Sequence, residues 1–324
     1  MSKSELLKEL RALTQAGMKD CNDALKEAGD DLQKAVDIIK SKGQNIVSGR
    51  EGKVAAEGIV MAAFVENDKT AAMIEVNCQT DFVSRNPDFK QFAEDALTHL
   101  CGATAANTPF DVNETQVRNL RTSIMAKTKE NCLIRRWWVE QVFEESCKTF
   151  IYIHNNNRLG VILSLKAPSV ETSQSSSFQE IGMDLAMQIA AMNPIAVSVD
   201  RLPVEMVERQ KAIFEAQLRE LNKPQAQWSR IIEGKLNKWY TEVCLTKQES
   251  VVVAKKSIEQ LIDSQYAALL GGKIEIVNFI RCQVGEGIEQ QTKSDFTDEV
   301  AKLSGIPAAP DPKEEQRRLF RDIP

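Results

Sequence analysis

The chain has 324 residues, 43% of them hydrophobic and 27% charged, and a net charge of −5. Such a length can bury a real core in two or three domains, and the acidic balance argues against nucleic acid as the main partner, local basic patches apart. Seven scattered cysteines (Cys21, Cys78, Cys101, Cys132, Cys147, Cys244 and Cys282) show no C-x-x-C spacing and read as free thiols in a reducing compartment, while two histidines, His99 and His154, leave little for a Cys/His zinc site.

The first residues, MSKSEL, lack the apolar core of a signal peptide, and no run of about 18 apolar residues occurs. A cytoplasmic protein is expected. Residues 1–43 read as three small helices. Leu6, Leu7, Leu10 and Leu13 mark the first apolar face, and Met18, Cys21, Ala24 and Leu25 the second. Leu32, Ala35, Val36 and Ile39 mark the third, opened by Asp30 or Asp31 and closed by Gly43. A unit of this size has a thin core and suits docking better than catalysis. Residues 44–57, with two glycines and no apolar period, read as a linker.

An internal repeat follows. Residues 58–77 suggest two strands around an Asn67–Asp68 turn, then a helix from Asp88 to Leu100. Residues 149–165 have the same shape around Asn155–Asn157, then a helix from Phe178 to Met192, with Ser173–Ser177 as an exposed loop between. Each half ends in a further strand, Cys132–Val142 and Lys273–Val284. The fold class is therefore α+β: two half-domains, 58–148 and 149–287, each an antiparallel sheet with packed helices.

A helical hairpin, about 201–245, interrupts the second half. Val207, Phe214 and Leu221 recur every seven residues, Asn222–Pro224 turn the chain, and Ile232, Leu236, Trp239 and Val243 form the matching seam. Too long to be buried by those seams alone, it is expected to project. A last helical segment is expected over 288–304, and 305–324, with four prolines among charges, as a mobile tail.

Catalytic signatures are missing. Neither G-x-x-x-x-G-K-[ST] nor G-x-G-x-x-G occurs, so neither standard nucleotide-binding loop is present, and there is no G-x-S-x-G elbow. No cofactor is expected, and binding is the better class. Arg135-Arg136-Trp137-Trp138 has the residue types of a nucleic-acid contact, but mid-strand alternation would send one Arg and one Trp to each face, leaving core on one side and solvent on the other. His154 reads as a solvated turn residue. Asp81-Phe82 differs: strand alternation has ended near Asn77 and helical spacing resumes only around Phe89. The pair lies in the turn or short helix joining sheet to helix, and Phe82 is equally readable as core or contact.

"EVNCQTDFVSR" (75–85) is identical to the second signature of the elongation factor Ts family, and "LRALTQAGMKDCNDAL" (10–25) resembles the first. "AMQIAAMNP" (186–194), "EGKLNKWYTEVCL" (233–245) and "VGEGIE" (284–289) are similar to later family segments, in the expected order. The resemblance implies a guanine-nucleotide exchange factor for elongation factor Tu. It also implies an N-terminal domain of the ubiquitin-associated type (1–43), a two-part core, a projecting hairpin and a C-terminal helix. By the same resemblance Asp81 and Phe82, with Thr80 and Val83 shaping the turn, form a wedge that disturbs the Mg²⁺ and phosphate sites of the GTPase. Arg11, Met18, His154, Val251 and Val252 fall at secondary contact positions. Asn22, Lys19 and "QESV" (248–251) depart from the usual family pattern, and the resemblance supports no match for 103–130 or for the tail 305–324. The alternative is a scaffold that holds elongation factor Tu in a larger assembly without exchange. Direct nucleotide, membrane or strong nucleic-acid binding is not expected, and homodimerisation stays open.

Overall fold

The computed structural model describes residues 2–14, 16–50, 52–221 and 223–288. The helix expected over 288–304 and the tail lie, past Ile288, outside the described residues. The N-terminal helices are α1 (Lys3–Thr14), α2 (Met18–Glu27) and α3 (Leu32–Arg50). Leu10, Cys21, Ala24, Leu25, Ala35 and Val36 bury a small core among them. Of the two proposed caps Asp31 takes the role, accepting the Lys34 N–H at 3.1 Å, while Asp30 adopts a left-handed φ of 63°. The third helix does not stop at Gly43: it continues to Arg50, through half of the expected linker, and lies against α6 (Thr115–Thr128). Packing of this kind overrides weak local propensity.

Two three-stranded antiparallel sheets follow. The first holds β1 (Glu57–Val65), β2 (Asn67–Cys78) and β3 (Leu133–Gln141) in that order; the second holds β4 (Cys147–His154), β5 (Leu159–Lys166) and β6 (Glu275–Gln283). Glu66, with a left-handed φ of 63°, makes the first reversal one residue earlier than expected, and Asn155, Asn156 and Asn157, all left-handed, make the second. Asn tolerates that region better than most residues.

The sheets pack face to face through Val60, Ala71, Met73, Ile162 and Cys282. Alternate residues of the first sheet (Ile59, Ala72, Ile74 and Val76) face α5 (Pro87–Ala105) and α6, while the second sheet packs on α8 (Ser176–Met192). The result is helix, sheet, sheet, helix, with β2 covered on both faces. That explains why its residues from Thr70 to Cys78 are buried without a polar side. The α6 helix occupies the stretch left unassigned from sequence. Ser173–Ser177 is not an exposed loop: α4 (Asp81–Ser84) has its equivalent there in α7 (Val170–Ser173), Ser173 is buried, and Ser175 caps α8 through the Phe178 N–H.

The hairpin is α9 (Val204–Glu220) and α10 (Trp228–Val243), anchored at its base by Leu202, Cys244, Val207, Trp239 and Val243. Its seam closes through Leu218 and Ile232, not Leu221, which is 63% exposed. A straight α-helix falls about 20° short of two full turns at every seventh residue, so by Leu221 the repeat has rotated off the seam, while Leu218, three turns beyond Val207, stays closer to it. After the hairpin, α11 (Ile258–Leu261), a π-helical turn (Ile262–Tyr266) and α12 (Ala267–Leu270) complete the cover of the second sheet. No helix among the described residues is long and apolar enough to cross a membrane.

Candidate functional site

Strand β2 ends at Cys78, and after Gln79 and Thr80 a single helical turn, α4, begins at Asp81. Thr80 caps it in extended conformation, its Oγ1 accepting the Val83 N–H at 3.4 Å. Asn86 caps the next helix by accepting the Asp88 N–H at 2.8 Å, with Pro87 in the first turn. Both ends of the turn are thus fixed by side chains read directly from the sequence. Val83 packs onto the core beneath, and Ser84 is buried and donates to the Asp81 carbonyl at 2.9 Å. Phe82 lies 81% exposed. Periodicity allowed core or contact for this ring; it is outside the core. Asp81 pairs with Arg85 one turn on, at 2.9 Å.

A residue that the sequence reading missed holds the start of this turn. Glu130, just past α6, accepts the N–H groups of Gln79 and Thr80 at 3.1 and 3.0 Å, and the Thr80 hydroxyl at 2.7 Å. Gln79 answers by accepting the Asn131 N–H at 3.0 Å, and Cys78 Sγ donates to the Thr80 carbonyl at 3.2 Å. No local pattern in the sequence points to Glu130, because its partners lie about fifty residues away in the chain.

On the other face of β2, inside the sheet pair, Glu75 is fully buried yet charged. Strand alternation fails opposite it: Arg136 pairs with Glu75 while Ile134 pairs with Val76, so Arg135 is the extra residue of a bulge. Both guanidiniums therefore reach Glu75, at 3.1 and 2.5 Å, which corrects the expectation of one Arg on each face. Trp137 turns outward to an edge contact with Phe110, and Trp138 inward under Arg136. Gly285 donates its N–H to Glu75 at 2.8 Å. Its φ of +75° and a Cβ position 2.3 Å from the Ala56 carbonyl admit no side chain. Burial alone would push the Glu75 carboxyl up, but the Gly285 amide and the two arginines together hold it below the usual carboxylate range. The basic-aromatic run is thus engaged in joining the two sheets.

The remaining sequence-predicted residues sit on separate elements. The His154 turn docks on β1, with the Asn157 carbonyl accepting the Val60 N–H, and Arg158 pairs with Glu57, whose strand partner is Cys78. That brings the second hairpin turn to the same end of the sandwich as Thr80–Val83. His154 itself is exposed, its ring stacked on Tyr152 with Nδ1 2.8 Å from the tyrosine hydroxyl. Arg11 and Met18 are exposed on the N-terminal helices. Arg11 borders a cleft of about 600 Å³ against α6 in which Asp20 pairs with Lys129 and Asp88 with Lys127. Val251 and Val252 are half exposed on the loop that leads to α11. Among the described residues no group of three or more His, Cys, Asp or Glu side chains could hold a metal ion.

A family profile described as Elongation factor TS matches residues 79–286. The chain is 36% identical over 312 residues to a protein named elongation factor Ts from Clostridium botulinum (strain Alaska E43 / Type E3), covering 94% of this chain and all of the relative. It is 35% identical over 311 residues to the protein of that name from Clostridium perfringens (strain SM101 / Type A), covering 94% and 100%. It is also 33% identical over 308 residues to that from Trichlorobacter lovleyi, covering 93% and 97%.

Proposed function

The chain belongs to the elongation factor Ts family, and from that premise we propose that it accelerates GDP release from elongation factor Tu by stabilising the nucleotide-free GTPase. The observation that carries the mechanism is the fixed, outward Phe82: a large aromatic 81% exposed at the tip of a turn whose neighbours on both sides are hydrogen-bonded. A turn held this way has its backbone ordered before binding, so less of the free energy gained by burying the ring is lost to ordering the chain.

In this reading Phe82 inserts between helices of the GTPase domain and disturbs the Mg²⁺ and phosphate sites, with Asp81 beside it and Thr80 and Val83 shaping the turn. Exchange then needs no covalent chemistry. The factor must bind the empty GTPase better than the GDP-bound one, because only differential affinity shifts an equilibrium. By linkage GDP and the factor weaken each other's binding by the same factor. Arg11, Met18, His154, Val251 and Val252 would supply the wider contact, which holds the partner while Phe82 acts.

The test is to add the protein to its own elongation factor Tu loaded with labelled GDP and follow dissociation. Release well above the spontaneous rate is expected. A stable complex with an unchanged GDP off-rate would overturn exchange and favour a scaffold instead.

A further inference from the structure

The end of β2 poses a problem that the wedge residues do not solve. Past Cys78 the ladder with β1 has stopped, since Cys78 pairs with Glu57 at the start of that strand. The N–H groups of Gln79 and Thr80 are left half-buried without strand partners, and a free backbone here would let the turn swing. One carboxylate meets all of this. Glu130 takes both amides and the Thr80 hydroxyl, a charge-assisted set stronger than neutral bonds. With its proton committed to Glu130, Thr80 Oγ1 presents its lone pairs to the Val83 N–H, which starts α4. The chain of contacts runs Glu130, Thr80, Val83, and so fixes where Phe82 points.

Glu130 is itself held. Lys129 ends α6 in a left-handed conformation (φ 59°), turning the chain back toward the sheet. Asn131 bonds Gln79 on one side and donates its side-chain amide to the Lys53 carbonyl at 2.8 Å on the other. We infer that Glu130 is a positioning residue for exchange: it touches no partner, but sets the aim of Phe82 by clamping Gln79 and Thr80. This rests on the exchange reading above.

The experiment compares the full chain with Glu130→Ala, Glu130→Gln and Phe82→Ala. The first measurement is amide hydrogen exchange of the free protein, which does not depend on any partner. The second is GDP release from elongation factor Tu as a function of factor concentration. In Glu130→Ala the amides of 79–84 should lose protection at least tenfold while those of β1 and α5 keep theirs. The maximal release rate should fall at least fivefold, with the half-saturating concentration changed less than threefold. Glu130→Gln, which retains one acceptor oxygen for the two amides, should recover at least half of the rate. Unchanged protection at 79–84, or normal release by Glu130→Ala, overturns the inference, as does loss of protection across the whole first sheet, which would mark a merely structural role. If Glu130→Ala does not fold, Thr80→Val decides: a maximal rate lowered at least threefold supports the clamp, and an unchanged rate overturns it. Failure of the wild-type chain to accelerate release instead refutes the exchange reading and with it this role, while the hydrogen-exchange arm still reports whether the clamp exists.

Discussion

Arg136 donates to Glu75 at 2.5 Å through Nε and to the Gln283 carbonyl at 3.1 Å through Nη2, so one guanidinium joins the middle of the first sheet to the end of the second. Arg135 repeats the arrangement, reaching Glu75 and the Glu286 carbonyl. Removing the carboxylate strands two half-buried cations, a loss on the order of 3 kcal/mol. Glu75→Gln is therefore expected to lower unfolding free energy by about that amount in urea titrations. The pH dependence follows from the depressed carboxyl. Its stabilisation is complete above the ordinary value of 4.5 and is lost as pH falls through the lower folded value. Wild type should lose stability on acidification below that point more steeply than Glu75→Gln; parallel curves would refute the assignment.

Gly182 faces the Phe150 ring so closely that a Cβ would lie 2.2 Å from it. Alanine is the better helix former by up to about 1 kcal/mol, but forcing a methyl into that contact costs about 1–3 kcal/mol. Gly182→Ala should therefore be destabilising. Gly234, in α10, has nothing within 4 Å of its Cβ position. Gly234→Ala should stabilise by about 0.5–1 kcal/mol. Opposite signs for the same substitution, measured by denaturant midpoints, check the packing; equal signs would contradict it.

All seven cysteines are free, and only Cys101 is less than fully buried. Burial pushes the thiols of Cys132 and Cys244 up to about 11 and that of Cys282 up to about 12, and raises those of Cys21, Cys78, Cys101 and Cys147 as well. Since the thiolate is the reactive form, a neutral-pH disulfide reagent should modify the native chain slowly, at Cys101 first, and all seven thiols only after unfolding. Cys101→Ser should abolish that first phase. Fast native labelling of Cys21 or Cys78 would show that these cores open.

Much of the architecture follows from short-range pattern. Alternation and turn residues locate the six strands found among the described residues, because a strand with Gly or Asn at its ends carries its signal within ten residues. The place of Phe82 between strand and helix is legible the same way, from the gap between Asn77 and Phe89, but its exposure is not, because periodicity leaves core and contact equal. What escaped depends on contacts distant in sequence. The extension of α3 to Arg50 lies against α6, which was itself unassigned. The bulge at Arg135 exists because Glu75 recruits a second cation, which no alternation rule anticipates. Glu130 carries no motif, and its part in the site exists only once α6 returns the chain to the end of β2.

Phe82 permits a clean separation of function from stability. Its ring makes little contact within the chain, so Phe82→Ala should leave unfolding free energy within about 0.5 kcal/mol of wild type. If the ring is buried by the GTPase at a central anchor position, truncation should cost on the order of 2 kcal/mol of transition-state stabilisation, roughly a thirtyfold fall in the GDP-release rate at fixed concentration. Asp81→Ala is a useful companion. It removes an exposed pair with Arg85, worth about 0–1 kcal/mol to the fold, so any larger loss of exchange must come from the partner side. Stopped-flow release of labelled GDP, alongside denaturant titration of each variant, gives both numbers. Full exchange activity in a stable Phe82→Ala protein would remove Phe82 from the mechanism, and an equal fall in stability would mean the ring belongs to the core after all.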